Sequence, residues 1–327
     1  MLINLLFCLI GFVILYFGAE WLVKGSSSLA RGLGITPVVI GLTVVAFGTS
    51  APELVVSLVS SLKGKSMIAV GNVVGSNICN IALVLGLAAV FRPMTGSESV
   101  VKRDIPLMLV ISVYLFILSL NSRLGRGEGV TLFAGIILYT LFNYYMAMKE
   151  SRAGRDQELT AEYESELEEI GYVGSGPRQI ILILVGIVGV VAGAQFVVDS
   201  AEKMMKILGV SEKFIGLTIV AFGTSLPELA TSMVAAWRKE MDISIGNLVG
   251  SNVFNLFSVL GVASMVRPIL IPGGFFTSGL IIDYLVMMLT SFLPWLMMRK
   301  SFTVTRRGGF LLLACYGGYI VYLIIKA

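Results

Sequence analysis

Hydrophobic residues run through this chain in long, nearly unbroken stretches, without the spacing of a strand or helix that turns one face to water. A helix needs about 20 mostly apolar residues to cross roughly 30 Å of hydrocarbon. By that rule ten candidate spans lie near 2–24, 36–62, 67–91, 104–120, 128–148, 179–200, 211–237, 243–266, 279–298 and 308–326. The N-terminus, Met1-Leu2-Ile3-Asn4, has no basic leader, so the first stretch reads as a span and not as a cleaved signal. One segment breaks the series. Residues 149–177 carry the acidic run Glu162, Glu164, Glu166, Glu168 and Glu169 and close on Gly174-Ser175-Gly176-Pro177. That spacing matches no calcium loop, so the segment reads as an aqueous linker between two five-span halves, 1–148 and 178–327.

Composition agrees with the pattern: 56% of the residues are hydrophobic and 13% charged, about half the charged share of soluble domains. A net charge of +4 without a basic run speaks against nucleic acid as a partner. There is no histidine, which excludes histidine metal sites, His-based dyads and histidine proton relays. Cys8, Cys79 and Cys315 lie far apart in apolar stretches and read as small buried side chains, with no disulfide framework and no zinc pattern. In a ten-span topology fifteen of the 24 lysines and arginines share the linker's side, among them Arg31, Lys102, Arg103, Arg238, Lys239 and Arg306. The positive-inside bias then makes the linker cytoplasmic and both termini external. The expected setting is the lipid bilayer of the cell (inner) membrane, and nothing calls for an obligate protein partner.

The most informative feature is an internal repeat. Gly41-Leu42-Thr43-Val44-Val45-Ala46-Phe47-Gly48-Thr49-Ser50-Ala51-Pro52-Glu53 recurs as Gly216-Leu217-Thr218-Ile219-Val220-Ala221-Phe222-Gly223-Thr224-Ser225-Leu226-Pro227-Glu228, identical at eleven of thirteen positions at an offset of 175. The same offset carries Gly71-Asn72-Val73-Val74-Gly75-Ser76-Asn77-Ile78-Cys79-Asn80 onto Gly246-Asn247-Leu248-Val249-Gly250-Ser251-Asn252-Val253-Phe254-Asn255, and Gly18-Ala19 onto Gly193-Ala194. An odd number of spans per copy forces the second copy upside down relative to the first. Inverted repeats of this kind are a secondary-transporter architecture. A repeat kept for packing alone would preserve apolarity, not Thr-Ser-x-Pro-Glu inside hydrocarbon.

Glu53 and Glu228 fall mid-span, where an ionisable side chain costs a few kcal/mol or more and marks function. Neither has a Lys or Arg nearby within its span, so the carboxylates ask for a divalent cation or for protons. Pro52 and Pro227 remove a donor and free the carbonyls of Gly48 and Gly223 where the helix can bend. Thr49 and Glu53, like Ala46 and Ser50, are four apart and share a face; Asn72, Ser76 and Asn80 form a second polar stripe. Gly71 and Gly75 form a small-residue seam suited to close helix contact. The donors are carboxylate, hydroxyl, amide and carbonyl oxygens, which suit Ca²⁺ and alkali cations better than zinc or copper. Glu20 with Lys24, and Asp199 with Lys203, are spaced as i,i+4 ion pairs at span ends, and Asp283 reads as interfacial.

The doubled Gly-Thr-Ser-x-Pro-Glu and Gly-Asn-x-x-Gly-Ser-Asn segments resemble the alpha repeats of the cation/calcium antiporter superfamily, in its sodium/calcium exchanger branch. The resemblance covers nearly the whole chain. It implies an all-α polytopic membrane protein of ten transmembrane helices in two inverted five-helix repeats, working by alternating access as a transporter and not an enzyme. It also implies a ligand set of Ala46 (carbonyl), Thr49, Ser50, Glu53, Ser76 and Asn80 from the first copy. The second copy supplies Ala221 (carbonyl), Thr224, Ser225, Glu228, Ser251 and Asn255. Ca²⁺ and Na⁺ are then the transported ions, with no cofactor. Some potassium-dependent relatives carry Asp where this chain has Asn255, so K⁺-independent exchange is expected. Proton-coupled relatives place Glu where this chain has Gly75 and Gly250, which weighs against a Ca²⁺/H⁺ antiporter without excluding it. An intramembrane carboxylate-pair enzyme and a passive cation channel are the readings from other classes.

Overall fold

A backbone surrounded by hydrocarbon must satisfy its own N–H and C=O groups, and the long apolar runs accordingly fold as helices. The computed structural model describes residues 1–154, 173–208 and 221–326. Helix α1 (Leu2–Leu33) stops on Gly34, whose φ of 65° suits glycine and whose N–H caps the carbonyls of Ala30 and Arg31. Next come α2 (Pro37–Thr49) and α3 (Ala51–Leu62), a pair bent by 46° at Ser50, then α4 (Ser66–Phe91). The first half continues with β1 (Met94–Thr95), α5 (Ile105–Ser119), β2 (Arg123–Leu124) and α6 (Arg126–Gly154). The second half holds α7 (Gly176–Ile207), a single turn at Ala221–Gly223, and α8 (Leu226–Trp237). It ends with α9 (Met241–Val266), β3 (Ile269–Leu270), α10 (Leu280–Ser301), β4 (Thr303–Val304) and α11 (Arg306–Lys326).

The molecule is apolar outside and polar inside, the reverse of a water-soluble protein. Leu6, Phe12, Val13, Leu184, Val188, Leu285, Leu289, Phe310 and Ile324 are exposed, whereas Thr49, Ser50, Glu53, Asn80, Glu228, Ser251 and Asn255 have no exposure at all. Helices α4 and α9 bury 78% of their apolar windows against 22% for α1, so the two motif helices are interior and α1 lies at the lipid-facing surface. This is an integral membrane protein.

Seven helices are long and apolar enough to cross a membrane, or eight if the bent α2–α3 pair is one span, where the pattern predicts ten. The shortfall has two sources. Helix α5 has only 15 residues, because its membrane-entry end is wound as a separate π-helical turn, Val100–Asp104. The expected span 211–237 begins among residues outside those described, and α8 represents its remainder. Most of the acidic linker also lies outside the described residues; before it, α6 extends to Gly154, past the expected boundary at 148. All three cysteines are free, Cys79 buried and Cys8 and Cys315 only partly so.

The chain divides into two compact units, and each draws on both halves of the sequence. The first comprises Met1–Thr49 and Tyr139–Asn247; the second comprises Ser50–Leu138 and Leu248–Ala327.

In the first unit α1 and α7 run side by side and antiparallel. Gly11 faces Val197, Gly18 faces Gly189 and Val190, and Gly25 faces Ile183, so numbers rise on one helix as they fall on the other. A Cβ on Gly18 would stand 2.6 Å from Gly189 C, and one on Gly193 2.5 Å from Leu15 N. Backbone cannot yield to such contacts, so glycine is required along this seam. At one end of the unit, Glu240 accepts bonds from Ser27 Oγ (2.5 Å) and Arg31 Nη2 (2.8 Å), forming a nearly buried ion pair. Glu20 pairs with Arg238 instead of the expected Lys24, and Asp199 accepts from Gln195 instead of pairing with Lys203. Same-helix spacing cannot reveal a guanidinium that arrives from another element.

In the second unit two short antiparallel ladders cross-connect the sequence halves: β1 pairs with β4 and β2 with β3. They stand at opposite ends of α5, one before it and one after it. Tyr284 is buried between Phe275 and Phe116 with its hydroxyl on Ser119 Oγ at 3.0 Å. Asp283, expected at the interface, is in the first turn of α10 and accepts from Tyr319 at 3.1 Å. An added Cβ on Gly71 or Gly75 meets nothing within 4 Å among the described residues; Gly216, which corresponds across the offset to the Gly41 that packs on Gly246, lies outside them.

Two consequences are measurable. Gly18→Leu forces a side chain into backbone and lowers stability by about 3 kcal/mol, read as a melting temperature in detergent. Glu240→Gln leaves Arg31 buried beside a neutral partner and costs about 3 kcal/mol in the same assay.

Candidate functional site

The repeated Thr-Ser-x-Pro-Glu segment sits where a helix breaks and restarts. Ser50 (φ −84°, ψ 6°) and Ser225 (φ −88°, ψ 4°) adopt almost the same bridge-region conformation ahead of α3 and α8. Pro52 and Pro227 occupy the first turn of the new helix, where a missing N–H does no harm. Glu53 and Glu228 lie in those same first turns, fully buried, where the positive end of the helix dipole favours a carboxylate. The glycine before each break is closely packed: a Cβ on Gly48 would come 2.6 Å from Ile187 Cδ1, and one on Gly223 2.3 Å from Val198 Cγ2, so either side chain would have to shift.

In the first unit the polar side chains include Thr49, Asn247 and the buried Glu228. Thr49 Oγ1 donates to Asn247 Oδ1 at 3.0 Å and lies 3.4 Å from the Ala46 carbonyl. Asn247 Nδ2 reaches Ser232 Oγ at 3.3 Å, and Ser244 Oγ donates to the Ser232 carbonyl at 3.1 Å. Ser225 and Thr231 are fully buried, and their hydroxyls find no hydrogen-bond partner among the described residues. Thr224 is partly buried beside the break, and Ala221 begins the single turn that precedes it.

In the second unit Ser76 Oγ donates to Glu53 Oε1 at 3.4 Å. Asn72 Nδ2 bonds both the Glu53 carbonyl (3.2 Å) and Ser57 Oγ (2.9 Å), tying α4 to α3. Asn80 and Asn255 each open or adjoin a π-helical turn, Cys79–Leu85 and Asn255–Val259, a local unwinding frequent at functional sites. Asn80 Nδ2 bonds Asn252 Oδ1 and Asn255 Nδ2 bonds Asn77 Oδ1, both at 3.1 Å. The Oδ1 atoms of Asn80 and Asn255 are buried with no hydrogen-bond partner among the described residues. Ser251 is fully buried one turn before Asn255.

The hydrogen bonds thus join Thr49 to Asn247 in the first unit and, in the second, Ser76 to Glu53 and Asn80 and Asn255 to Asn252 and Asn77; Glu228 is buried in the first unit and Glu53 in the second. Among the described residues no three of Asp, Glu, His and Cys come together. The oxygens present are mostly neutral, the donor type of alkali and alkaline-earth ions. Sequence reasoning did not single out Asn77, Asn252, Ser57 or Ser232. Asn77 and Asn252 recur at the offset of 175, which is a usable signal, but they fall one residue off the i,i+4 stripe and point to another helix.

The model of the family described as "Sodium/calcium exchanger protein" matches residues 3–148 and 178–325. This chain belongs to the sodium/calcium exchanger family. As a member it is an ion exchanger and not an enzyme, with sodium and calcium as substrates and no cofactor. Inner membrane protein YrbG of Escherichia coli is 37% identical over 99% of this chain and 96% of its own. Sodium/calcium exchanger MaX1 of Methanosarcina acetivorans is 31% identical over 98% of each chain. A solved structure of the sodium-calcium exchanger NCX_Mj, soaked without Na⁺ and Ca²⁺, superposes with a TM-score of 0.82 at 31% identity, covering 98% of this chain and 99% of that one.

The Thr49–Asn247 contact is open to a direct test. Thr49→Val leaves Asn247 Oδ1 short of a donor in a buried place and lowers stability by about 1–3 kcal/mol, whereas Thr49→Ser stays within about 1 kcal/mol. Thermal unfolding of both variants in sodium-free buffer measures the difference.

Proposed function

We propose that this exchanger drives Ca²⁺ across the cell (inner) membrane against Na⁺ by alternating access, independently of K⁺ and without proton coupling. One observation carries the reading: a buried glutamate at a helix restart, set among hydroxyl and amide oxygens, occurs twice at a fixed offset of 175. Ala46, Thr49, Ser50, Glu53, Ser76, Asn80, Ala221, Thr224, Ser225, Glu228, Ser251 and Asn255 are its cation ligands. The amide at Asn255 withholds a third carboxylate, which favours K⁺ independence. Gly75 and Gly250 supply no carboxylate of the proton-coupled type.

The architecture that goes with this function is ten helices in two inverted repeats, 1–148 and 178–327, joined by the acidic linker 149–177. Support comes from the family match, which breaks at the linker, and from the antiparallel run of α1 and α7, whose Gly18 and Gly193 correspond across the offset. The exchanged pairing of β1 with β4 and β2 with β3 is a further support, because it is what a two-fold relation between repeats would produce. The linker is cytoplasmic and both termini are external, in keeping with the distribution of lysine and arginine.

Protein in Na⁺-loaded vesicles, diluted into choline or K⁺ medium, takes up ⁴⁵Ca²⁺ at the same rate in both and is indifferent to a proton ionophore. Glu53→Gln and Glu228→Gln each lower uptake by at least about 100-fold, the scale expected when a charged ligand of a buried cation is neutralised. Uptake driven equally by an imposed pH gradient without Na⁺ would make the protein a Ca²⁺/H⁺ antiporter.

A further inference from the structure

Four asparagines of the second unit, Asn77 and Asn80 on α4 with Asn252 and Asn255 on α9, close a ring of amide hydrogen bonds. Asn77 Nδ2 donates to the main-chain carbonyl of Asn252 at 3.3 Å, and Asn252 Nδ2 donates to that of Asn77 at 3.3 Å. A carbonyl can only accept, so the end of each side chain that faces it is the NH₂. Asn77 and Asn252 must therefore turn Oδ1 the other way. There Asn77 Oδ1 accepts from Asn255 Nδ2, and Asn252 Oδ1 accepts from Asn80 Nδ2, each at 3.1 Å.

The assignment propagates one step further. Asn80 and Asn255 commit their NH₂ groups to the ring, so each presents Oδ1 away from it. Those are the two buried amide oxygens that find no hydrogen-bond partner among the described residues. An asparagine can hold a cation only through Oδ1; the flipped amide would offer the positive end of its dipole. Two main-chain carbonyls thus dictate, through two asparagines, the polarity of two others. The ring needs amides at all four corners, since a carboxylate at 255 would set an acceptor against Asn77 Oδ1. Residues 77 and 252, like 80 and 255, correspond across the offset of 175, so one device serves both repeats.

The geometry points to Asn77 and Asn252 as positioning residues that lock the side chains of Asn255 and Asn80 oxygen-first for a cation. This inference rests on the reading of Asn80 and Asn255 as ligands. Its consequence for exchange is specific: breaking the lock weakens cation affinity and leaves the turnover of the loaded carrier nearly unchanged.

The test compares wild-type protein with Asn77→Ala, Asn252→Ala, Asn80→Ala and the Asn80→Ala/Asn252→Ala double variant, by vesicle exchange and by cation-induced rise in melting temperature. Asn77→Ala and Asn252→Ala raise the half-saturating Ca²⁺ concentration about tenfold, the scale of one net hydrogen bond, with maximal rates within about twofold of wild type. In the Asn80→Ala background, Asn252→Ala adds less than about a twofold effect, because no amide is left for it to orient. Where an alanine variant does not fold, Asn77→Ser and Asn252→Ser remove the same acceptor with less lost bulk and carry the same readout. A lower melting temperature with unchanged half-saturation would reduce the ring to packing and overturn the inference, as would fully additive effects in the double variant. If the wild type exchanges no Ca²⁺ yet Na⁺, Ca²⁺ or Sr²⁺ raises its melting temperature, the transport reading fails by itself. The lock then stands or falls on whether Asn77→Ala and Asn252→Ala abolish that rise. No stabilisation of the wild type by any of the three ions would overturn both.

Discussion

Charge without water is the constraint to which this structure answers. Glu53 and Glu228 have no solvent exposure, in a protein whose outer surface is built for lipid. Holding an ionised carboxylate in such surroundings costs several kcal/mol unless dipoles and counter-charge replace the lost water. The fold supplies dipoles. Each glutamate is set in the first turn of a helix, and Ser76 adds a hydroxyl to the Glu53 carboxylate. The broken helix follows from the same need, since an uninterrupted α2–α3 would place Glu53 in mid-helix, far from any helix N-terminus. Pro52, Ser50 and Gly48 are therefore parts of one device that ends one helix and starts another beside the acid.

The apolar seam of the first unit meets a different demand. Between two helices bathed in lipid, burying apolar side chains gains little, because the tails are as apolar as leucine, and association must come from close packing. Gly18, Gly189 and Gly193 bring α1 and α7 into backbone contact for that reason. Polar contacts do the corresponding work in the interior. Asn72 fastens α4 to α3, Asn247 joins Thr49 to Ser232, and the asparagine ring fastens α4 to α9. Every one of these asparagines has its counterpart at the offset of 175, so the repeat governs helix packing as well as the donor set.

Much of this was legible in the chain, for physical reasons that differ by level. Apolar runs announce helices in lipid because the bilayer leaves the backbone no alternative, and a doubled Thr-Ser-x-Pro-Glu announces function because hydrocarbon tolerates carboxylates nowhere else. Contacts between distant elements were not legible. Glu20 finds Arg238, which closes α8, instead of Lys24 on its own helix. Asn77 and Asn252 escaped notice because an i,i+4 stripe identifies one face of a helix, and their work is done across two. The short α5 escaped because hydropathy does not register the π-helical turn that begins it.

The same constraint explains why such a protein exchanges ions and does not leak them. A buried carboxylate among neutral oxygens is most favourable with a cation beside it, so the loaded protein is the low-energy species and the empty one carries an unreplaced desolvation cost. A conformational change that carries the site through a closed, water-free state is then easier loaded than empty. Return without a counter-ion meets the higher barrier, which couples the outward trip of one cation to the inward trip of another. The asparagine ring strengthens that coupling. If Asn80 and Asn255 are ligands, as proposed, their Oδ1 atoms cannot turn to find other donors when the ion departs, and the empty state stays unfavourable. Rigid, correctly polarised neutral ligands are in this sense as necessary to antiport as the acids they accompany.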